Sequence, residues 1–461
     1  VTRHGEVSAQ IRLAIPLAAQ QLGFQLMGTV DAALLGRYED TALAAAGVAN
    51  NLLFAIIAVG WGIVMGLDST LPQAVGAQRP DLARRSLGAG LRLATWIGLG
   101  CTLLVLATPA VLALADVPDE VARDARLYIA IRAIGIVPFL QTIALRSYLA
   151  AHNITRPLVA AVAIGNLANA GLDLVLIFGA GPIPALGVAG AAIATVAVQI
   201  ATVAIFHAGA RGVDGGAPRP VASRGDLIDI LRHGLPLGGQ LFAEIGIFGV
   251  ATVLAAHMGV VPAAAHAIAL NLASFTFSFA LGVGAATSVR VGHAIGAGDR
   301  ALARRRGILG IQFGLVVMSG FSACFVLASA GLAGLFTQQA TVIAATVPLL
   351  QIAALFQLSD GAQAIAAGAL RGIRRNRATL VGNLIGHYGI GLAISLSLAF
   401  GAGMGAPGLW WGLSAGLTAT AIFLITRFLA GTRAEPIDSG PQRSKDRNLP
   451  AARVPRRGTR S

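Results

Sequence analysis

Apolar positions in this chain neither alternate with polar ones at period two nor keep to one stripe at period 3.6. They continue on all sides for about 20 residues at a time, the length that crosses a bilayer as a helix. Twelve such runs fall near 11–35, 43–69, 88–115, 125–149, 157–179, 187–208, 230–256, 262–288, 307–334, 342–370, 378–400 and 408–430. The polar-in alternation of an outer-membrane barrel is missing. The pattern predicts an all-α integral membrane protein with twelve transmembrane helices, and an even number of spans leaves both termini on one side.

Composition agrees. Of 461 residues, 56% are hydrophobic and 12% charged, with a mean hydropathy of +0.74, which excludes a soluble domain with a charged shell. With 58 glycines and 6% aromatics, the helices are expected to approach one another through small residues. Cys101 and Cys324 fall inside spans and read as buried small hydrophobes rather than a disulfide. The first run lacks a cleavage site and is expected to remain as the first helix.

The net charge of +14 could suggest nucleic acid, but its placement argues for topology. Arginines crowd the termini and alternate connections, among them Arg79, Arg84, Arg85, Arg156, Arg300, Arg304, Arg305, Arg374, Arg375 and Arg377. The intervening connections hold only Arg37, Arg123 and Arg126, beside several acids. By the positive-inside rule both termini are cytoplasmic, and the chain is expected to be a multi-pass protein of the plasma membrane.

The chain also repeats itself. At an offset of 220, Pro16-Leu17 meets Pro236-Leu237, Gln20 meets Gln240, Asn51-Leu52 meets Asn271-Leu272, and "LARR" at 82–85 meets "LARR" at 302–305. After one inserted residue Leu149 meets Leu370 and Arg156 meets Arg377. A duplicated six-helix unit predicts two pseudo-symmetric parallel lobes facing a cleft. The expected organisation is an N-terminal lobe (1–209), a Gly/Pro-rich cytoplasmic linker (210–229), a C-terminal lobe (230–432) and a disordered basic tail (433–461).

Five acids lie inside the predicted spans: Asp31, Asp68, Asp173, Glu244 and Asp360. A carboxylate at the bilayer centre costs roughly 2.5–3.5 kcal/mol even on the insertion scale, so such a residue points to function. Asp68, at a helix end before Ser69-Thr70, reads instead as hydrated. Counting the helical rise puts Asp31, in "GTVDAALLG", and Asp173 both roughly 8 Å inside the outer boundary. In "GNLANAGLD" Asn169 and Asp173 share a face, with Asn166 one turn earlier, and such oxygens suit a proton relay or a Na⁺ site. Glu244 and Asp360 each sit near mid-membrane by the same count. Neither is the repeat mate of Asp31, whose mate is Ala251. A structural role, capping a helix break or pairing with Arg132 or His387, is the alternative for each acid.

Other chemistry is excluded. The sole lysine, Lys445, lies in the tail, so there is no P-loop and no Schiff-base lysine. Histidine and cysteine show no metal spacing, and no nucleophile and base pair is apparent. The chain is not expected to be an enzyme or to hold a cofactor, and its energy must come from an ion gradient or a partner.

These residues resemble the multidrug and toxic compound extrusion (MATE) transporters, in the NorM-like branch. "IPLAAQQLGFQLMGTVDAALLG" is similar to the family's first helix, "GNLANAGLDLVLIFG" with "GVAGAAIAT" to its fifth and sixth, and "DGAQAIAAGALRGIRRNR" to its tenth. The resemblance implies ion coupling by Asp31, Asn169, Asp173 and Thr195 in the first lobe and by Glu244 and Asp360 in the second; it names no substrate-binding residue. It implies a secondary active multidrug efflux protein exchanging H⁺ or Na⁺ for amphipathic organic cations by alternating access, a monomer in lipid. The alternatives are a lipid-linked oligosaccharide flippase of related fold and a non-transporting membrane scaffold.

Overall fold

The computed structural model describes residues 3–114, 118–218 and 220–433. Its long helices follow in order as α1 (Arg3–Tyr38), α2 (Asp40–Gly76), α3 (Pro80–Ala107), α4 (Asp119–Ile134 bending by 43° into Ile136–Ala151), α5 (Arg156–Phe178), α6 (Val188–Asp214), α7 (Arg224–His257), α8 (Val260–Gly296), α9 (Arg300–Leu327), α10 (Ala340–Gly372), α11 (Asn376–Gly401) and α12 (Ala406–Gly431), with short helical turns at Pro109–Leu114 and Ser329–Gly334. Ten of these are long and apolar enough to cross a membrane, and the bent α4 makes eleven. The twelfth, α1, is 36 residues long but falls short on apolarity, because Gln20, Gln21, Gln25 and Asp31 interrupt its run.

The two helices flanking the expected linker reach into it. α6 continues to Asp214 and stops at Gly215 in the left-handed conformation. α7 begins with a capping box, in which Ser223 Oγ accepts from the Asp226 amide while the Asp226 carboxylate accepts from the Ser223 amide. Helix therefore occupies both ends of 210–229 and leaves only a short connection. Nearly all of the basic tail lies outside the described residues. Cys101 is buried as expected, but Cys324 is exposed; both are free thiols.

The duplication reappears as backbone geometry. Gln78 (φ +56°) and its mate Gly298 (φ +80°) both end their helices in the left-handed region, and so do Asn153 (φ +56°) and its mate Arg374 (φ +60°). Repeat mates also meet across a pseudo-two-fold axis. Ser288 Oγ donates to the carbonyl of its mate Asp68 at 3.2 Å. A Cβ on Gly76 would lie 2.2 Å from the His293 carbonyl, and one on Gly296 2.2 Å from the Gln73 carbonyl, with His293 and Gln73 themselves mates. Glycine is required here by backbone contact.

All these approaches lie in the half of the protein that carries the termini. The cores divide in the same way. One continuous core joins the first lobe to Leu237, Val283, Ala286, Ile365, Leu370 and Phe428 of the second. On the far side, Ile247, Ala251, Ala265, Ala273 and Trp410 form a separate core of the second lobe alone. The lobes are thus packed together at the terminal side.

Candidate functional site

In the first lobe α1, α5 and α6 bring four expected residues into one buried cluster. Thr195 Oγ1, whose hydroxyl also touches the Ala191 carbonyl, donates to Asp31 Oδ2 at 2.9 Å. The Asp173 carboxyl and the Asn169 amide lie close enough to Asp31 to act on its charge, without a fixed hydrogen bond to it. All four are at most 6% exposed. Asp31 Oδ1, both Asp173 oxygens and both polar atoms of Asn169 have no fixed partner. Two neighbouring carboxyls inside a protein need a positive charge between them, a shared proton or a cation. Arg132 feels the charge of Asp31 but forms no ion pair among the described residues. Asn166 stands apart, its amide donating to the Val162 carbonyl of its own helix at 2.9 Å.

The second lobe holds a looser arrangement. Glu244 on α7 lies beside Gln240, one turn earlier, and within reach of the charge of Arg371. Asp360 on α10 is buried and feels Glu244, but no hydrogen bond joins the two. His387 is buried in a widened, π-type stretch of α11 (Leu384–Gly391), with neither ring nitrogen hydrogen-bonded. It pairs with no carboxylate among the described residues. No group of three or more His, Cys, Asp or Glu suited to a metal ion occurs among the described residues; Na⁺ would use hard oxygen ligands of the kind found in the first lobe.

Two acid sites separated between two lobes, on a duplicated scaffold, are matched by what the chain resembles. The MatE family matches residues 16–175 and again 236–397, two matches that begin at the same offset as the internal repeat. The chain belongs to the MatE family. It is accordingly a multi-pass membrane transporter of small molecules, without a cofactor, and not an enzyme. It is 36% identical over 437 residues to "Probable multidrug resistance protein NorM" of Bradyrhizobium diazoefficiens, covering 91% of this chain and 92% of that one. It is also 36% identical over 443 residues to the Deinococcus radiodurans protein of the same name, covering 94% and 97%. A solved outward-facing structure of a multidrug resistance MATE family transporter of the MOP superfamily superposes with a TM-score of 0.84 at 20% identity, covering 92% of this chain and 96% of that one, which speaks for the fold.

The MatE chain carries further charged sites that its sequence alone did not reveal. Asp68 is buried, not hydrated. It accepts from Ser147 Oγ at 2.5 Å and pairs with Arg146 at 3.2 Å, and Arg371 lies within range of its charge. At the terminal surface Glu6 of α1 is 2% exposed and binds two guanidiniums of the other lobe. Arg290 of α8 donates to it directly, and Arg306 of α9 grips it through Nε at 3.1 Å and Nη2 at 3.2 Å. Burial alone would push the Glu6 carboxyl up, but the hydrogen bond and charge of Arg306, with the charges of Arg290 and Arg305, hold it below its ordinary value. Its repeat mate Asp226 pairs across the lobes with Arg85 of α3 at 3.1 Å, in a more exposed setting. An offset of 220 puts Glu6 on Asp226, so the repeat was the signal that could have found this pair.

Proposed function

We propose that this MatE protein is a secondary active multidrug efflux transporter that exchanges H⁺ or Na⁺ for amphipathic organic cations by alternating access. The relatives' names support multidrug efflux. The observation that carries ion coupling is the pair of neighbouring buried acids Asp31 and Asp173, set with Thr195 and Asn169 and joined to no arginine among the described residues. A proton or Na⁺ entering there neutralises charge that otherwise attracts a cationic drug, so ion and drug compete by negative linkage. Glu244 and Asp360 form the second coupling site, with Na⁺ as one candidate occupant of that pair.

In this reading the protein is a plasma-membrane monomer surrounded by lipid, binds no nucleic acid, and has both termini in the cytoplasm. Lobes packed at the terminal side then correspond to an outward-facing state. The first lobe is 1–209 and the second 230–432, rocking about the axis between them. A flippase would need a row of free arginines along the cleft for pyrophosphate, whereas nearly all arginines of this chain lie at the terminal ends of the helices.

The test is ethidium efflux from proteoliposomes under an imposed proton gradient, then an imposed Na⁺ gradient. One of the two should drive wild-type efflux, and Asp31→Asn and Glu244→Gln should each abolish it while inserting normally. Stimulation by neither gradient, or wild-type efflux by both variants, refutes the coupling assignment.

A further inference from the structure

A pocket lies outside the coupling sites, at the terminal side of the second lobe. It has a volume of about 660 Å³ and is formed by the start of α7, the α10–α11 turn, the first turns of α11 and the last turns of α12. Five arginines line it, Arg232, Arg374, Arg375, Arg377 and Arg427, against one carboxylate, Asp229. Arg374 is paired with that carboxylate. Among the described residues Arg232, Arg375, Arg377 and Arg427 form no ion pair. Like charges gathered this closely repel unless an anion joins them, and the guanidinium fork is suited to phosphate.

Two features say what kind of anion. The wall contains Val381, 44% exposed, and Phe423, over whose ring the Arg427 guanidinium stands at 5.0 Å. An apolar wall beside a basic floor, at the level where transmembrane helices leave the bilayer, fits a phospholipid whose phosphate sits among the arginines while its acyl chain follows α11 and α12. Arg374 also holds its guanidinium there from a left-handed backbone position (φ +60°) where its mate is Asn153. An arginine is strained at such a position, and asparagine tolerates it better.

The same pocket touches the closure between the lobes. Asn376, which lines it, donates to Ser69 Oγ of α2 at 2.9 Å and to the His233 carbonyl of α7 at 2.7 Å. We propose that this pocket binds the phosphate headgroup of an anionic phospholipid, and that the bound headgroup steadies the packing of α7 and α11 against α2. This site is independent of the ion-coupling reading.

The experiment uses the full chain, delipidated in detergent and titrated with phosphatidylglycerol or cardiolipin, with phosphatidylcholine and inorganic phosphate as separate arms, read by native mass spectrometry and thermal unfolding. Each arginine near such a headgroup should contribute about fivefold in affinity, so Arg377→Gln with Arg427→Gln should weaken anionic-lipid binding about 25-fold. The charge-preserving pair Arg377→Lys and Arg427→Lys should retain most of it and shows that the pocket still folds. The control pair Arg92→Gln and Arg156→Gln, exposed in the first lobe, should change little. Equal loss in the control pair, unchanged binding in the glutamine pair, or binding of inorganic phosphate without any preference for anionic lipid would overturn the proposal.

Discussion

Removing one carboxylate, Glu6→Gln, tests how this protein holds its lobes together. Glu6 is the single anion between two guanidiniums of the other lobe, Arg290 and Arg306, and Gln10 adds a further tie by accepting from Arg290 Nη1 at 3.0 Å and donating to Thr287 Oγ1 at 3.0 Å. Taking away one partner of a buried ion pair typically costs about 3–5 kcal/mol, because the charge left behind stays buried. Discounted for water reaching Arg306, which is 20% exposed, a loss of about 3 kcal/mol remains, a factor of roughly 150 in the balance between packed and separated lobes. Spin labels at Asp81 and Ala301, exposed repeat mates at the starts of α3 and α9, placed in a cysteine-free background, report that separation by pulsed dipolar spectroscopy. The variant should gain a longer-distance population that wild type lacks. Because the Glu6 carboxyl is held below its ordinary value of about 4.5, its stabilisation is fully present above that pH and is lost only as pH falls through the lower, latched value. The Glu6 latch should therefore stay closed between pH 5 and 8, and the effect of Glu6→Gln on the distances should be the same at both ends of that range. A folded Glu6→Gln protein with wild-type distances, or an effect of the substitution that disappears within that range, would refute the latch.

The glycine contacts give a second route to the same state. Gly76→Ala and Gly296→Ala each press a Cβ against a backbone carbonyl that cannot rotate away, and overpacking of this kind costs about 1–3 kcal/mol; both should lower the thermal midpoint and spread the Asp81–Ala301 distances, and an unchanged midpoint counts against close packing at the axis. In the Asp68–Arg146 pair, Asp68→Asn strands a buried guanidinium and should destabilise by about 3–5 kcal/mol. Adding Arg146→Gln should recover part of that loss in a double-mutant cycle by thermal unfolding, and strict additivity would mean that the pair does not interact.

What the sequence by itself determined follows from short-range rules. Apolar run length depends only on consecutive residues, so it yielded the helices, and the repeat offset yielded a two-lobed scaffold because duplicated residues keep their spacing. Helical periodicity likewise put Asn169 and Asp173 on one face. The run was legible at α1, but mean hydropathy falls short there for a local reason: Gln20 and Asp31 are buried polar positions, which a hydropathy count reads as water-facing. The tertiary structure alone decided which distant charges meet. Asp68 looks like a helix-end residue until Arg146, 78 positions later, covers it. Glu6 looks like a solvated terminal acid until α8 and α9 close over it. Asp31 and Asp173 lie on separate helices, and α6 brings Thr195 to them. Contacts between residues hundreds of positions apart depend on how helices cross and how closely their glycines let them approach, and no local pattern encodes that. The same holds for the arginine pocket, whose members read along the chain as topology signals and become a site only when α7, α11 and α12 stand side by side.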